Sequence, residues 1–109
     1  MSNLQAFNQT IANQRTQEYL TQVLADKKSS FVSNITALVA NDAKLQACEP
    51  VSLIYAGINA TALGLPLDQN LGFAYVIPYN DKKSGKVVAQ LQLGYKGFVQ
   101  LAIRSGQFK

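Results

Sequence analysis

Apolar residues recur at helical spacing between residues 15 and 62, and this spacing predicts three helices. The first stripe lies within residues 15–26 and consists of Tyr19, Leu20, Val23 and Leu24. The second follows a serine cap at Ser29 or Ser30 and consists of Phe31, Ile35, Leu38 and Val39. We therefore expect a helical region in the first part of the chain.

The third helix is marked at both ends as well as by its apolar residues. Pro50 loses no hydrogen bond at the first helical position, and the Glu49 carboxylate suits the positive end of the helix dipole. Gly64 is a stop signal for this helix, with Pro66 two residues later.

The N-terminal residues 1–14 are polar and rich in Asn and Gln, so we expect a flexible arm there.

From residue 73 onward the hydrophobic period changes to two, which predicts a β-hairpin. Its strands are residues 73–79 and 86–93, joined by a loop over residues 80–85. Gly94 ends the second strand, and a helix from Tyr95 to Arg104 follows. The fold class is therefore α+β: N-terminal helices, then a β-hairpin and a helix. Because two strands are marginal as an isolated sheet, we expect the hairpin to be part of a larger fold.

The two faces of the hairpin differ in polarity. Phe73, Tyr75 and Tyr79 share one face of the first strand, and an aromatic face of this kind is typical of a core. We expect Phe73 and Tyr75 to be in the core, and Tyr79, beside the loop, to be available for stacking on a base. Gln90 and Gln92 lie on the polar face of the return strand, where they face either solvent or a nucleic acid.

Charge is divided unevenly along the chain, whose net charge is +4. Residues 82–109 contain no acidic residue and six basic ones: Lys82, Lys83, Lys86, Lys96, Arg104 and Lys109. A basic segment beside a mildly acidic one points to a polyanion partner, most commonly a nucleic acid.

Lys96 stands in the first turn of its helix, where the dipole disfavours a cation. A bound anion would account for this position, and an ordinary solvated lysine is an equally good interpretation. The hairpin lysines are a weak signal alone because charged hairpin loops are common.

The chemistry of most enzymes has no support in this sequence. The chain has no His and one Cys, Cys48, which excludes a Cys–His nucleophile pair and a His-based zinc site. Neither a P-loop nor a G-x-G-x-x-G motif occurs. We expect no catalytic activity, no metal and no cofactor. The single cysteine, the lack of a signal peptide and the lack of a long apolar run predict a cytoplasmic protein that does not enter membranes.

Four sequence segments carry a family resemblance. They are residues 63–66 (LGLP), 71–79 (LGFAYVIPY), 90–98 (QLQLGYKGF) and 101–106 (LAIRSG). In order and spacing they resemble the RecT family of single-strand DNA annealing proteins of phages and prophages. The chain looks like an N-terminal portion of such a protein, so the resemblance implies that this is part of a larger annealing-protein fold.

The resemblance implies a function. Family members bind single-stranded DNA and the annealed duplex, anneal complementary strands without ATP in phage-type homologous recombination and DNA repair, and assemble as homo-oligomeric rings or filaments. They work with a partner 5′→3′ exonuclease. The resemblance places Gln90, Gln92, Tyr95, Lys96 and Arg104 in or beside a basic DNA groove. Lys82, Lys83, Lys86 and Tyr79 are further candidates for DNA binding.

This interpretation divides the chain into three regions: a flexible polar arm (1–14), a helical region with an oligomerisation surface (15–64) and an incomplete DNA-binding core (65–109). An alternative hypothesis is a protein-interaction or oligomerisation module whose basic half is incidental. The charged fraction of only 15% motivates it, because a weakly charged surface suits contact with another protein.

Overall fold

The structure, a computed structural model, describes residues 3–67 and 71–106. Its elements in chain order are α1 (Asn3–Ala12), α2 (Gln14–Leu24), α3 (Lys28–Ala40), α4 (Ala43–Gln46), α5 (Pro50–Ala62), β1 (Ala74–Asp81), β2 (Lys86–Leu93) and α6 (Tyr95–Arg104). A 3₁₀ turn, Ala25–Lys27, joins α2 to α3. The predicted α+β class, with helices first and then a hairpin and a helix, is confirmed.

The flexible arm predicted for residues 1–14 differs from the structure, in which Asn3–Ala12 form helix α1. Phe7 is 1% exposed and Ile11 is 6% exposed, and both belong to the hydrophobic core. Leu4, Phe7 and Ile11 stand at i, i+3 and i+7, which is a narrow helical stripe among polar residues. Burial of this stripe stabilises a helix that the composition alone does not favour. Residues 1–2 lie outside the described part of the chain, as do residues 107–109 of the predicted DNA-binding core.

Helix α5 is central to the helical layer, and its bounds follow the predicted signals. Glu49 is its N-cap, Pro50 is its first residue, and Gly64 adopts a φ of +71° just beyond its end. A Cβ atom at Gly57 would lie 2.8 Å from the Phe31 ring, so the glycine lets α3 approach α5 closely. The predicted apolar face of α3 is buried at Phe31 and Ile35.

The starts of α2 and α3 differ in how they are capped. Asn13 caps α2 through its side chain, which accepts a hydrogen bond from the N–H of Arg15. The cap predicted at Ser29 or Ser30 is wrong, because α3 begins at Lys28 directly after the 3₁₀ turn. The N–H of Lys28, the first residue of α3, donates to the carbonyl of Ala25 in the turn. The turn thus takes the place of a side-chain cap, and none is formed at this end.

Strands β1 and β2 pair antiparallel in a register that runs from Ala74↔Leu93 to Asp81↔Lys86. The inner face contains the buried Ala74 and Val76, and the helices cover it. The expectation that Phe73 and Tyr75 form the core is therefore wrong: both are half-buried, and Tyr75 lies on the outer face. A period of two defines two faces but does not decide which of them packs inward.

The edge of β2 that faces away from β1 is bonded to the start of α5. The N–H of Glu49 donates to the carbonyl of Val87 at 2.8 Å, and the N–H of Ala89 donates to Ser52 Oγ at 2.8 Å. These bonds satisfy edge groups that would otherwise be open to pairing, and they attach the hairpin to the helices.

The hydrogen-bond pattern between β1 and β2 accommodates a proline at position 78. The N–H of Gly94 donates to the carbonyl of Phe73, which makes this a hydrogen-bonded pair. Such pairs alternate with non-hydrogen-bonded ones, so the pair Pro78↔Ala89 is of the second kind. The nitrogen of Pro78 therefore points away from β2, where its missing N–H breaks no bond with that strand.

Candidate nucleic-acid interface

We call the side of the sheet that is turned away from the helices the outer face of the hairpin. On this face, aromatic side chains of β1 lie beside amide side chains of β2. The register places Tyr75 opposite Gln92 and Ile77 opposite Gln90. Both glutamines are exposed, and Tyr79, the next residue along this face, is 49% exposed. The structure thus brings together three of the predicted candidates, Tyr79, Gln90 and Gln92. It adds Tyr75, which we expected in the core.

The aromatic pattern along β1 assigns Tyr75 to the wrong face, although the sequence holds a usable signal. A short loop after Asp81 sets the register, and that register places Tyr75 directly across from Gln92. Directly opposed residues lie on the same side of a sheet. Since Gln92 belongs to a polar face, Tyr75 must share that face, whatever the aromatic pattern along β1 indicates on its own.

The start of α6 is packed against one end of the outer face. A Cβ atom at Gly94, the N-cap of α6, would overlap the Gly72 carbonyl oxygen and lie 2.8 Å from the Tyr75 ring. A Cβ atom at Gly72 would lie 3.6 Å from the Tyr75 hydroxyl and 3.7 Å from Lys96 Cδ. Lys96 and Tyr75 therefore flank the same glycine, which places the Lys96 side chain at the border of the outer face.

Tyr95, the first residue of α6, is 82% exposed. Gly97, two residues further along the helix, is buried, and a Cβ atom there would overlap the carbonyl oxygen of Phe73. Two glycines thus allow the first turn of α6 to lie directly on the backbone at residues 72–73. This close approach leaves Tyr95 and Lys96 free to extend toward solvent.

Lys82 and Lys83 occupy the hairpin loop at the other end of the outer face, and both are exposed. Asp81 Oδ1 accepts a hydrogen bond from the N–H of Lys83 at 3.1 Å, and Asp81 Oδ2 accepts one from Ser84 Oγ at 3.0 Å. Asp81 therefore shapes the loop through neutral donors. Among the residues that the structure describes, no carboxylate lies within ion-pair distance of the ammonium groups of Lys82, Lys83 or Lys96.

Lys86 is in a different environment from the other two hairpin lysines. Its Nζ atom lies 3.4 Å from Glu49 Oε1, and the two side chains are 61% and 41% exposed. An exposed pair of this kind contributes little to stability. The Glu49 carboxylate nevertheless offsets the charge of Lys86, so Lys86 is the hairpin lysine least available to an anion.

Arg104 is not brought to the outer face. Its Nη1 atom donates a hydrogen bond of 2.7 Å to the carbonyl oxygen of Leu63, which is the C-cap of α5. It lies about 12 Å along α6 from Lys96, at 1.5 Å per residue. The predicted candidates therefore separate into one group around the outer face and one residue at the junction of two helices.

The described residues contain no group of three or more His, Cys, Asp or Glu side chains that could hold a metal ion. Cys48 is buried, and burial, with a smaller contribution from the charge of Asp42, raises the pKa of its thiol above its ordinary value. A raised pKa makes a thiol a poor nucleophile at neutral pH. Within residues 3–67 and 71–106, no helix has the length and apolar character needed to cross a membrane.

Comparison with known proteins identifies relatives of this chain. One is the uncharacterized protein YqaK of Bacillus subtilis (strain 168), 42% identical over 88 residues, which are 81% of this chain and 29% of that protein. Another is protein RecT of Escherichia coli (strain K12), 44% identical over 62 residues, which are 55% of this chain and 23% of that protein. The chain thus spans less than a third of the length of these relatives. The model of the RecT family matches residues 29–109, and the chain belongs to that family.

Proposed function

We propose that this chain binds single-stranded DNA on the outer face of its hairpin and supports the annealing of complementary strands in phage-type homologous recombination, without ATP. One observation carries the proposal. Aromatic and amide side chains in register cover the outer face, and at both of its ends stand lysines whose ammonium groups, among the described residues, have no carboxylate within ion-pair distance. Membership of the RecT family supports the same role.

The two kinds of side chain have separate tasks in this proposal. Lys82, Lys83 and Lys96 neutralise backbone phosphates, which makes affinity dependent on salt and insensitive to sequence. Tyr75 and Tyr79, about 13 Å apart along β1 at 3.3 Å per residue, offer ring faces on which any base stacks. Gln90 and Gln92 donate hydrogen bonds to phosphate or sugar oxygens. Pairing between the bases of the two strands then supplies specificity, and no side chain carries out a chemical step.

The wider setting is also a proposal, supported by family membership. The chain acts in the cytoplasm as part of a homo-oligomer, a ring or a filament. It receives single-stranded DNA from a partner 5′→3′ exonuclease and releases annealed duplex. Tyr95 and Lys86 are secondary DNA contacts in this scheme, because Tyr95 is exposed beside Lys96 and Lys86 is already paired with Glu49.

A second candidate function is protein interaction alone. The rings of Tyr19 on α2 and Tyr55 on α5 meet edge to face with centroids 6.2 Å apart, and both residues are exposed. Val23 and Val51, one turn away on the same helices, are exposed as well. This apolar surface on the helical region favours contact with another protein, whether a second copy or not.

Fluorescence anisotropy tests the first function. A labelled single strand of about 30 nucleotides is titrated with the chain over a series of salt concentrations, and log affinity should fall linearly with log salt by about 0.7 per phosphate neutralised. The double variant K82A/K83A should weaken binding and flatten this slope. Absence of binding at low salt by a chain that circular dichroism shows to be folded would favour the interaction module instead.

A further inference from the structure

Arg104 joins the end of α6 to the end of α5. Its guanidinium donates to the Leu63 carbonyl at 2.7 Å, a contact between residues 41 positions apart in sequence. Carbonyl groups at the C-terminus of a helix have no partner within the helix, and a cation is favoured there. The guanidinium therefore lies where the negative end of the α5 dipole attracts it.

The junction depends on Gly64 as well as on Arg104. Gly64 has a φ of +71°, and a Cβ atom there would lie 2.9 Å from Arg104 Nη1. That separation is closer than a Cβ atom tolerates, so any other residue at position 64 would displace the guanidinium. The same glycine thus ends α5 and leaves room for the arginine.

Helix α6 is attached to the protein by two buried small residues and by Val99 and Leu101, which are half-buried. Its first turn lies on the backbone at Phe73 through Gly97, and Ala102 is buried further along. Three large apolar residues of α6 instead point outward: Tyr95, 82% exposed, and Phe98 and Ile103, each 59% exposed. Because only small residues of the helix are fully buried, the hydrogen bond from Arg104 contributes to fixing its C-terminal half.

We propose that Arg104 is a positioning residue. It bonds the Leu63 carbonyl and thereby holds α6 in the direction that keeps Lys96 beside Tyr75, and it does not bind phosphate. A helix fixed at one end only can pivot, and a pivot of α6 would move Lys96 relative to the outer face. The consequence for DNA rests on the proposed function, whereas the effect on α6 does not.

Hydrogen exchange measured by mass spectrometry on the chain without DNA tests the effect on α6. R104A should make the amides in the C-terminal half of α6 exchange about two- to fivefold faster, as expected for loss of a cation at a helix C-terminus. R104K retains a donor and a charge, so it should restore most of the protection. K82A is the matched control, since it removes an exposed cation far from α6.

A pair of glycine variants tests the junction without removing any charge. Gly64 and Gly85 have the same φ of +71°, but a Cβ atom at Gly85 would meet nothing within 4 Å. Both G64A and G85A introduce backbone strain, and G64A alone also displaces Arg104. G64A should speed exchange in α6, and G85A should leave it unchanged. Equal exchange in α6 for wild type, R104A and G64A would overturn the proposal.

The salt series separates positioning from phosphate binding. R104A and G64A should weaken DNA binding while the log–log slope stays that of the wild type, whereas K82A should reduce the slope by about 0.7. A slope reduced equally by R104A and K82A, with α6 exchange unchanged, would make Arg104 a phosphate contact. If the wild type binds no DNA, the proposed function fails for this chain, and the exchange experiment still decides the role of Arg104.

Discussion

The hydroxyl of Ser52, in the first turn of α5, accepts a hydrogen bond of 2.8 Å from the N–H of Ala89 in the middle of β2. The same hydroxyl donates to the Glu49 carbonyl at 2.6 Å. One side chain therefore joins the helical layer to the edge of the hairpin. The position of the candidate DNA-binding face relative to the helices depends on this contact.

Substitution of Ser52 by Ala should destabilise the chain by about 1–3 kcal/mol, because it leaves the partly buried N–H of Ala89 without its acceptor. Urea unfolding followed by circular dichroism measures the change. S33A is a suitable control, since Ser33 is an exposed residue of α3. Equal midpoints for S52A and S33A would show that the contact contributes nothing to stability.

Substitution of Phe7 by Ala should be among the most damaging single changes in the chain. Removal of a fully buried ring costs about 3–5 kcal/mol, and Phe7 is one of the largest fully buried side chains. Thermal unfolding should show a strongly reduced midpoint or no cooperative transition. N8A, at an exposed position of the same helix, should be close to wild type. A wild-type midpoint for F7A would mean that residues 1–14 behave as the flexible arm that their composition indicates.

Substitution of Lys96 by Ala should weaken single-strand binding to the same degree for every DNA sequence. Loss of one phosphate contact should reduce the slope of log affinity against log salt by about 0.7. K44A is the matched control, since Lys44 is an exposed cation on α4, a helix that is not part of the outer face. Identical slopes for K96A, K44A and wild type would exclude Lys96 from the DNA contact.

Substitution of Tyr79 by Ala should weaken DNA binding by about 1–3 kcal/mol through loss of stacking on a base. Y79F keeps the ring face and should bind like the wild type. Neither variant alters a charge, so the salt slope should not change. Comparable losses in Y79A and Y79F would mean that the hydroxyl, rather than the ring, makes the contact.

Cys48 should make stability sensitive to alkaline pH. Burial, and to a smaller extent the charge of Asp42, raises the pKa of the folded thiol above its ordinary value. The unfolded state therefore loses this proton first, and the free energy of unfolding should fall as pH rises through the ordinary pKa range of a free thiol. The measurement is urea unfolding from pH 7 to pH 10, with C48A as the comparison, which should lose less stability over this range. Parallel curves for the two proteins would contradict this expectation.

Local signals in the sequence were sufficient for several elements. Pro50 and Gly64 marked the ends of α5 because proline and glycine restrict or permit particular backbone angles without help from distant residues. Gly94 separated β2 from α6, and the predicted bounds of both elements agree with the structure. The alternation along β2 placed Gln90 and Gln92 on its solvent face correctly. The basic character of residues 82–109 is also a property of the sequence alone.

Tertiary structure decided what depends on contacts between distant residues. Helix α1 forms because Phe7 and Ile11 find the core, which outweighs the polar composition around them. Packing of Ala74 and Val76 against the helices fixes which face of β1 points inward, and so places Tyr75 on the outer face; the period of two along β1 alone leaves this choice open, and only pairing with β2 resolves it. The hydrogen bond from Arg104 to the Leu63 carbonyl also depends on the fold. The two residues are 41 positions apart, so the local sequence pattern around Arg104 does not indicate this partner.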